Sequence, residues 1–234
     1  MKLPFPISFC LCYALFAGTA AYSQESEYKM EAGVMTGVSF YMGDANSSHL
    51  YRNTEALFGA VSRYNINPRF ALKCNLAVAR VSGDTRNMTG SVFPGGQAKF
   101  ERSIYDFGIQ AESNFFAFGT TLFNNSKRFS PYYLAGIGVT YAPKPLENVI
   151  AVNFPIGLGV KYALTETINI GFEWTIRFSS SDKLDVTADN LIGPDLEDPF
   201  QIKGKGMKNK DSYSFSAVFI TFDLFKRSCN CNKE

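Results

Sequence analysis

Histidine is almost missing: His49 is the one such residue among 234, and a site built on paired imidazoles has no second ring to use. Zinc spacings, a phosphate loop and a dinucleotide fingerprint do not occur in a credible context. Charge is sparse as well. Charged residues make up 19% of the chain and the formal net charge is +2, which offers no electrostatic footing for nucleic acid. No cofactor and no small-molecule substrate follow from this inventory. Long apolar runs are also lacking: beyond the first two dozen residues, no stretch is continuously apolar over the roughly 20 residues that a spanning helix needs. If the mature chain enters a membrane, it must do so as a closed barrel, which leaves no backbone group unpaired in lipid. No linker divides the sequence, so one large β domain is expected.

What the sequence has is aromatic side chains, with Phe 22 and Tyr 12. It also opens with "MKLPFPISFCLCYALFAGTAAYSQ". Lys2, the apolar Ile7 to Ala17 and the small-x-small Ala21-Tyr22-Ser23 predict a signal peptide over 1–23, a barrel over 24–225 and a short tail over 226–234. Cys10 and Cys12 would leave with the leader.

Period-2 alternation marks eight segments: Tyr28 to Tyr41, Glu55 to Asn65, Phe70 to Ser82, Ser103 to Phe116, Tyr132 to Tyr141, two within Asn153 to Phe178, and Ser212 to Phe222. In the last, Tyr213, Phe215, Ala217 and Phe219 oppose Ser214 and Ser216. Tight turns, "NINPR" and "ALTET", alternate with long connections at Met42 to Thr54, Gly83 to Arg102 and Ser179 to Asp211. This is the short-periplasmic, long-external pattern of an outer-membrane barrel with both chain ends periplasmic. Ala117 to Pro131 breaks it by being long on the periplasmic side.

Three features turn the ring-rich face toward lipid. The segments run to ten or eleven residues, enough for a tilted strand to cross a bilayer. Tyr41, Tyr64, Phe70, Tyr133, Tyr141, Tyr162 and Phe178 collect at segment ends, where aromatic girdles sit. The opposite face is rich in glycine (Gly33, Gly37, Gly108, Gly136, Gly138, Gly157, Gly159 and Gly171), which suits the cramped interior of an eight-stranded barrel better than a wetted strand. That interior also carries Glu31, Asp106, Glu112 and Glu173 with Arg63, Lys73, Lys161 and Arg177. Desolvating a lone charge there would cost several kcal/mol, so these eight are expected to pair and plug the lumen, which excludes a diffusion pore.

Outside the strands the signals are weaker. His49, with Ser47, Ser48, Asp44 and Glu55 near it, reads as loop surface rather than a hydrolase. Asp182, Asp185 and Asp189 do not match an EF-hand loop. Lys203, Lys205, Lys208 and Lys210 are placed to meet lipopolysaccharide phosphates. Cys74 takes the lipid-facing parity, while Cys229 and Cys231 in the tail are candidates for a disulfide or for bonding to a partner. The oversized turn presents Leu122 and Phe123 beside Lys127 and Arg128, either as a docking patch or packed on the rim.

Several stretches, "YRNTEALFGAVSRYNINPRFALKCNLAVARVSGD", "IQAESNFFAF", "FSPYYLAGIGV", "FPIGLGVKYAL" and "INIGFEWTIRF", resemble a family of small outer-membrane barrels from Bacteroidetes that includes PorG, a component of the type IX secretion system. The resemblance implies a non-enzymatic barrel that contacts periplasmic ring proteins and helps to export proteins bearing a C-terminal sorting signal, without being the translocation pore. The expected architecture is thus an all-β, eight-stranded antiparallel up-and-down transmembrane barrel in outer-membrane lipid. The competing expectation is a structural or adhesive barrel that binds ligands through its external loops.

Overall fold

The computed structural model describes residues 28–42, 50–51, 53–84, 99–119, 127–143, 148–181, 184 and 210–226. The expected leader, His49, Asp182, Asp185, Asp189, Lys203, Lys205, Lys208, Leu122, Phe123, Cys229 and Cys231 lie outside the described residues.

Eight strands follow one another: β1 (Tyr28–Met42), β2 (Glu55–Asn65), β3 (Phe70–Asp84), β4 (Lys99–Asn114), β5 (Phe129–Ala142), β6 (Val149–Ala163), β7 (Ile168–Ser179) and β8 (Ser212–Lys226). Each pairs antiparallel with the next, and β8 returns to β1 to close a barrel. Closure pairs every strand on both sides and removes the exposed edge an open sheet would carry. The tight turns have local causes. Asn67 Oδ1 accepts from the N–H groups of Arg69 and Phe70, both at 2.8 Å, and Thr165 Oγ1 accepts from Thr167 and Ile168, so each side chain supplies the bonds that reverse the chain. The β5–β6 ladder skips two positions between Ala135↔Ile156 and Gly138↔Asn153, where Pro155 has no N–H to give.

Alternation sorts the side chains. Val34, Phe58, Leu76, Ile137, Ile150 and Leu158 stand on the outer wall, with Ile150 73% exposed. An apolar surface of this extent, continuing around the barrel, is not one a water-soluble monomer presents, and it matches the lipid-facing band of a transmembrane barrel. Tyr64, Tyr133, Tyr141, Tyr162 and Phe178 also point outward and are exposed.

Two expectations about rings are corrected. In β8 the ring-bearing parity faces inward: Tyr213, Phe215, Ala217 and Phe219 are buried, whereas Val218, Phe222 and Leu224 are exposed. Tyr41 likewise enters the lumen instead of the girdle, edge-on to Phe100 at 5.0 Å. Phe219 and Phe215 find lumen cations as partners, and the hydroxyls of Tyr41 and Tyr213 reach the carboxylates of Asp211 and Asp106. Phe40 keeps the outward parity yet is fully covered by Tyr51, whose ring lies 4.7 Å away. On this flank Ser212, Ser214 and Ser216 of β8 face outward. They form the floor of a furrow between Trp174, Ile176 and Phe178 on β7 and Val38, Phe40 and Met42 on β1. Tyr51, at a left-handed φ of 60°, reaches into it and hydrogen-bonds its hydroxyl to Ser216 Oγ at 2.8 Å.

The connections at 43–54, 85–98, 143–148 and 180–211 share one end, called the loop side; those at 66–69, 115–128 and 164–167 share the turn side with both ends of the barrel. The long turn, expected at Ala117 to Pro131, occupies 115–128 because β4 stops at Asn114 and β5 starts at Phe129.

Trp174 is the one tryptophan of the chain and has the outward parity of β7, which makes it a reporter of what wets the wall. Reconstituted in vesicles, its emission should be blue-shifted and strongly quenched by lipids brominated along the acyl chain, with little quenching by aqueous acrylamide. The reverse pattern would mean that water meets this face.

Candidate functional site

The lumen is filled in layers. On the turn-side half, Glu112 of β4 is the hub. Arg63 of β2 donates from Nε to both its oxygens, at 2.9 and 3.0 Å, and Lys161 of β6 approaches Oε2 at 3.5 Å. Arg63 also reaches Glu31 of β1 at 3.4 Å, and Glu31 accepts from Asn65 and Thr221, each at 2.9 Å. Alongside, Lys73 of β3 meets both oxygens of Glu173 of β7 at 2.5 Å, and the Tyr132 hydroxyl donates to Glu173 at 2.8 Å. Nearer the loop side, Asp106 of β4 accepts from Arg177 at 3.2 Å, Asn75 at 3.1 Å, Asn153 at 2.8 Å and Tyr213 at 2.7 Å.

All eight ionisable residues picked out by parity thus meet within two clusters, four anions against four cations, and every one is buried. Pairing and hydrogen bonding are what make such burial tolerable in a low-dielectric space, and Arg63 Nη2 is the one charged-group nitrogen of the cluster left without a partner among the described residues. Inward rings complete it: the Arg63 guanidinium lies 4.2 Å from the Phe219 centroid and that of Arg177 4.0 Å from Phe215, a favourable placement over the ring face. A Cβ on Gly171 would stand 2.3 Å from Phe219 Cζ, and one on Gly159 2.4 Å from Tyr132 Cζ, so these glycines are the sockets for the rings.

Sequence reading missed the neutral members of this network, Asn75, Gln110, Asn153, Tyr132 and Tyr213. The inward parity contains Asn75, Gln110, Asn153 and Tyr132, whereas Tyr213 lies on the β8 parity expected to face lipid. It also missed an apolar layer at the loop side, where Leu57, Phe100, Ile104 and Leu184 are buried together. The Leu184 N–H donates to Asp211 Oδ2 at 2.8 Å, and the Tyr41 hydroxyl bonds the same carboxylate. The carboxylates of Glu31, Asp106, Glu112 and Glu173 are thus each bonded to a lumen cation.

The turn side has its own construction. The 115–128 connection is tied at both ends of its path: Asn114 N–H to Arg69 O at 2.7 Å and Phe118 N–H to Pro68 O at 3.0 Å on the β2–β3 turn, and Ala163 N–H to Arg128 O at 2.8 Å at the end of β6. Lys127 N–H bonds Ala117 O at 2.8 Å, and Ser130 Oγ caps Phe116 from both sides. Phe118 presents its ring to the buried Lys161 ammonium at 4.9 Å, so the described start of the connection lies at the barrel mouth. Of the four residues proposed for docking, Lys127 and Arg128 stand here, exposed. The exposed Phe116, under Lys127 at 4.3 Å, and the exposed Arg69 join them without having been anticipated; nothing periodic in the sequence marks an inward-folding turn.

A family model described as a domain of unknown function, DUF6089, matches residues 8–233. No curated protein matches the sequence. Among solved structures, the N-terminal β-barrel domain of Pseudomonas aeruginosa OprF is 11% identical with a TM-score of 0.47, over 86% of this chain and 100% of that one. Neisserial surface protein A is 11% identical with a TM-score of 0.49, over 84% and 97%. The attachment invasion locus protein Ail of Yersinia pestis is 12% identical with a TM-score of 0.45, over 84% and 99%. The barrel itself rests on the closed pairing of its eight strands, not on these likenesses.

Proposed function

The chain belongs to the DUF6089 family, and from that premise we propose that it is a non-enzymatic scaffold of the outer membrane, a component of a type IX secretion apparatus that contacts periplasmic ring subunits through its turn side. The observation carrying this reading is the division of labour in the barrel. The lumen is spent on its own ion pairs, which leaves no room for transport, whereas the 115–128 connection is longer than a hairpin requires and is held in place by bonds to two neighbouring elements. An up-and-down barrel needs no such element for its own closure. The resemblance of the Tyr51 to Asp84, Phe154 to Leu164 and Ile168 to Phe178 stretches to the secretion-associated barrels supports ring subunits as the class of partner. In this reading residues 1–23 are removed on export, and both barrel ends face the periplasm.

Replacing 115–128 with a two-residue hairpin should leave a heat-modifiable, folded barrel in the membrane while ring subunits no longer co-purify with it from detergent-solubilised outer membrane. Co-purification at the level of the parent protein would end the scaffold reading and leave a structural or adhesive barrel.

A further inference from the structure

We infer that the turn-side base is a docking platform for an acidic segment of a partner protein; this rests on the scaffold reading for the existence of a partner and adds the chemistry of its recognition. The connection runs from the β2–β3 turn, through Phe118 N–H to Pro68 O, to the end of β6, through Ala163 N–H to Arg128 O. At the first of these anchors Phe118 stands against the lumen's Lys161. That contact puts the described start of the connection under the lumen and facing the aqueous compartment, whereas lipid headgroups surround the perimeter.

Its exposed side is basic and aromatic. Arg69, Lys127 and Arg128 are exposed, as is Phe116, and the Lys127 ammonium rests over the Phe116 ring. Neither the 66–69 turn nor the described part of 115–128 contains an acidic residue. The lumen does not offset the three cations, because on its turn-side half and about Asp106 four carboxylates are already matched by four buried cations. Glu166 stands on the separate β6–β7 turn. Two guanidinium groups and an ammonium on a hydrogen-bonded base form charge-assisted bonds to carboxylates at low ordering cost, and the ring offers contact to one apolar side chain of the same segment.

The test uses the mature barrel in phosphatidylcholine nanodiscs and a fluorescein-labelled peptide of alternating aspartate and leucine, with its asparagine counterpart as comparison. Anisotropy should show salt-sensitive binding of the acidic peptide only. The Arg69→Ala, Lys127→Ala, Arg128→Ala variant should bind it about tenfold or more weakly, and Lys99→Ala on the loop side should bind it like the parent. Equal binding of both peptides, or an undiminished triple variant, overturns the inference. So does displacement of the peptide by phosphatidylglycerol that depends on the three cations, which would make lipid the occupant. Failure here is separable from failure of the scaffold reading. Ring subunits that co-purify with the triple variant but not with the hairpin replacement would leave a scaffold that recognises its partner by other contacts.

Discussion

Replacing Glu112 with alanine is expected to destabilise the folded barrel by about 3–5 kcal/mol. The carboxylate is wholly buried and serves two cations, Arg63 at 2.9 Å and Lys161 at 3.5 Å. Removing it leaves positive charge in the lumen with Glu31 as the remaining carboxylate bridged to Arg63 and none bridged to Lys161. Neutralising one partner of a buried pair costs far more than the pair contributes, because the desolvation penalty of the survivor stays. Glu112→Gln keeps an acceptor for Arg63 without the charge and should fall between parent and alanine. Urea unfolding in lipid vesicles, followed by Trp174 fluorescence, measures the difference. A change within about 1 kcal/mol, the range of exposed ion pairs, would mean that water reaches this cluster and that the lumen is not sealed.

The second large effect concerns the seam. Gly33 and Gly37 of β1 lie against β8 so closely that an added Cβ would stand 1.9 Å from Ile220 O and 2.0 Å from Ser216 O. These are backbone atoms of the paired strand and cannot swing aside as the end of a side chain would. The Gly33→Val, Gly37→Val variant should therefore fail to close, with the heat-modifiable folded fraction falling by more than about tenfold, since overpacking at a single site is already costly. Gly108→Ala is the matched control. Its Cβ would meet the tips of Asn75 and Gln110 at 2.9 and 3.2 Å, groups able to shift, so it should fold nearly as well as the parent. Equal folding of the seam variant would show that β1 and β8 can separate slightly without opening the barrel.

Much of this architecture is legible in the order of residues because a closed barrel enforces period 2 on every strand. Parity alone separates Leu158 from Gly159 and Glu173 from Trp174, and the Pro68 and Thr165 turns follow from local bonding. Parity does not say which side a ring prefers. Tyr213, Phe215 and Phe219 resemble lipid anchors until the pairing of β8 with β7 brings Phe219 against Gly171 and the lumen brings Arg63 to its face. That decision is made by contacts between residues far apart in sequence. The turn-side base is illegible for a different reason: Phe118 acquires its position from its own bond to Pro68 and from those of Ala117 and Gly119 to Lys127, and no repeat announces them.

The serine floor occupied by Tyr51 gives the protein an uneven waterline. Along β6 and β7 nonpolar side chains continue outward to Ile150 and Phe178, but on β8 they stop at Val218. A bilayer of constant thickness cannot fit both heights, so the molecule must lean or thin the leaflet beside β8, each at a modest cost per ångström of mismatch.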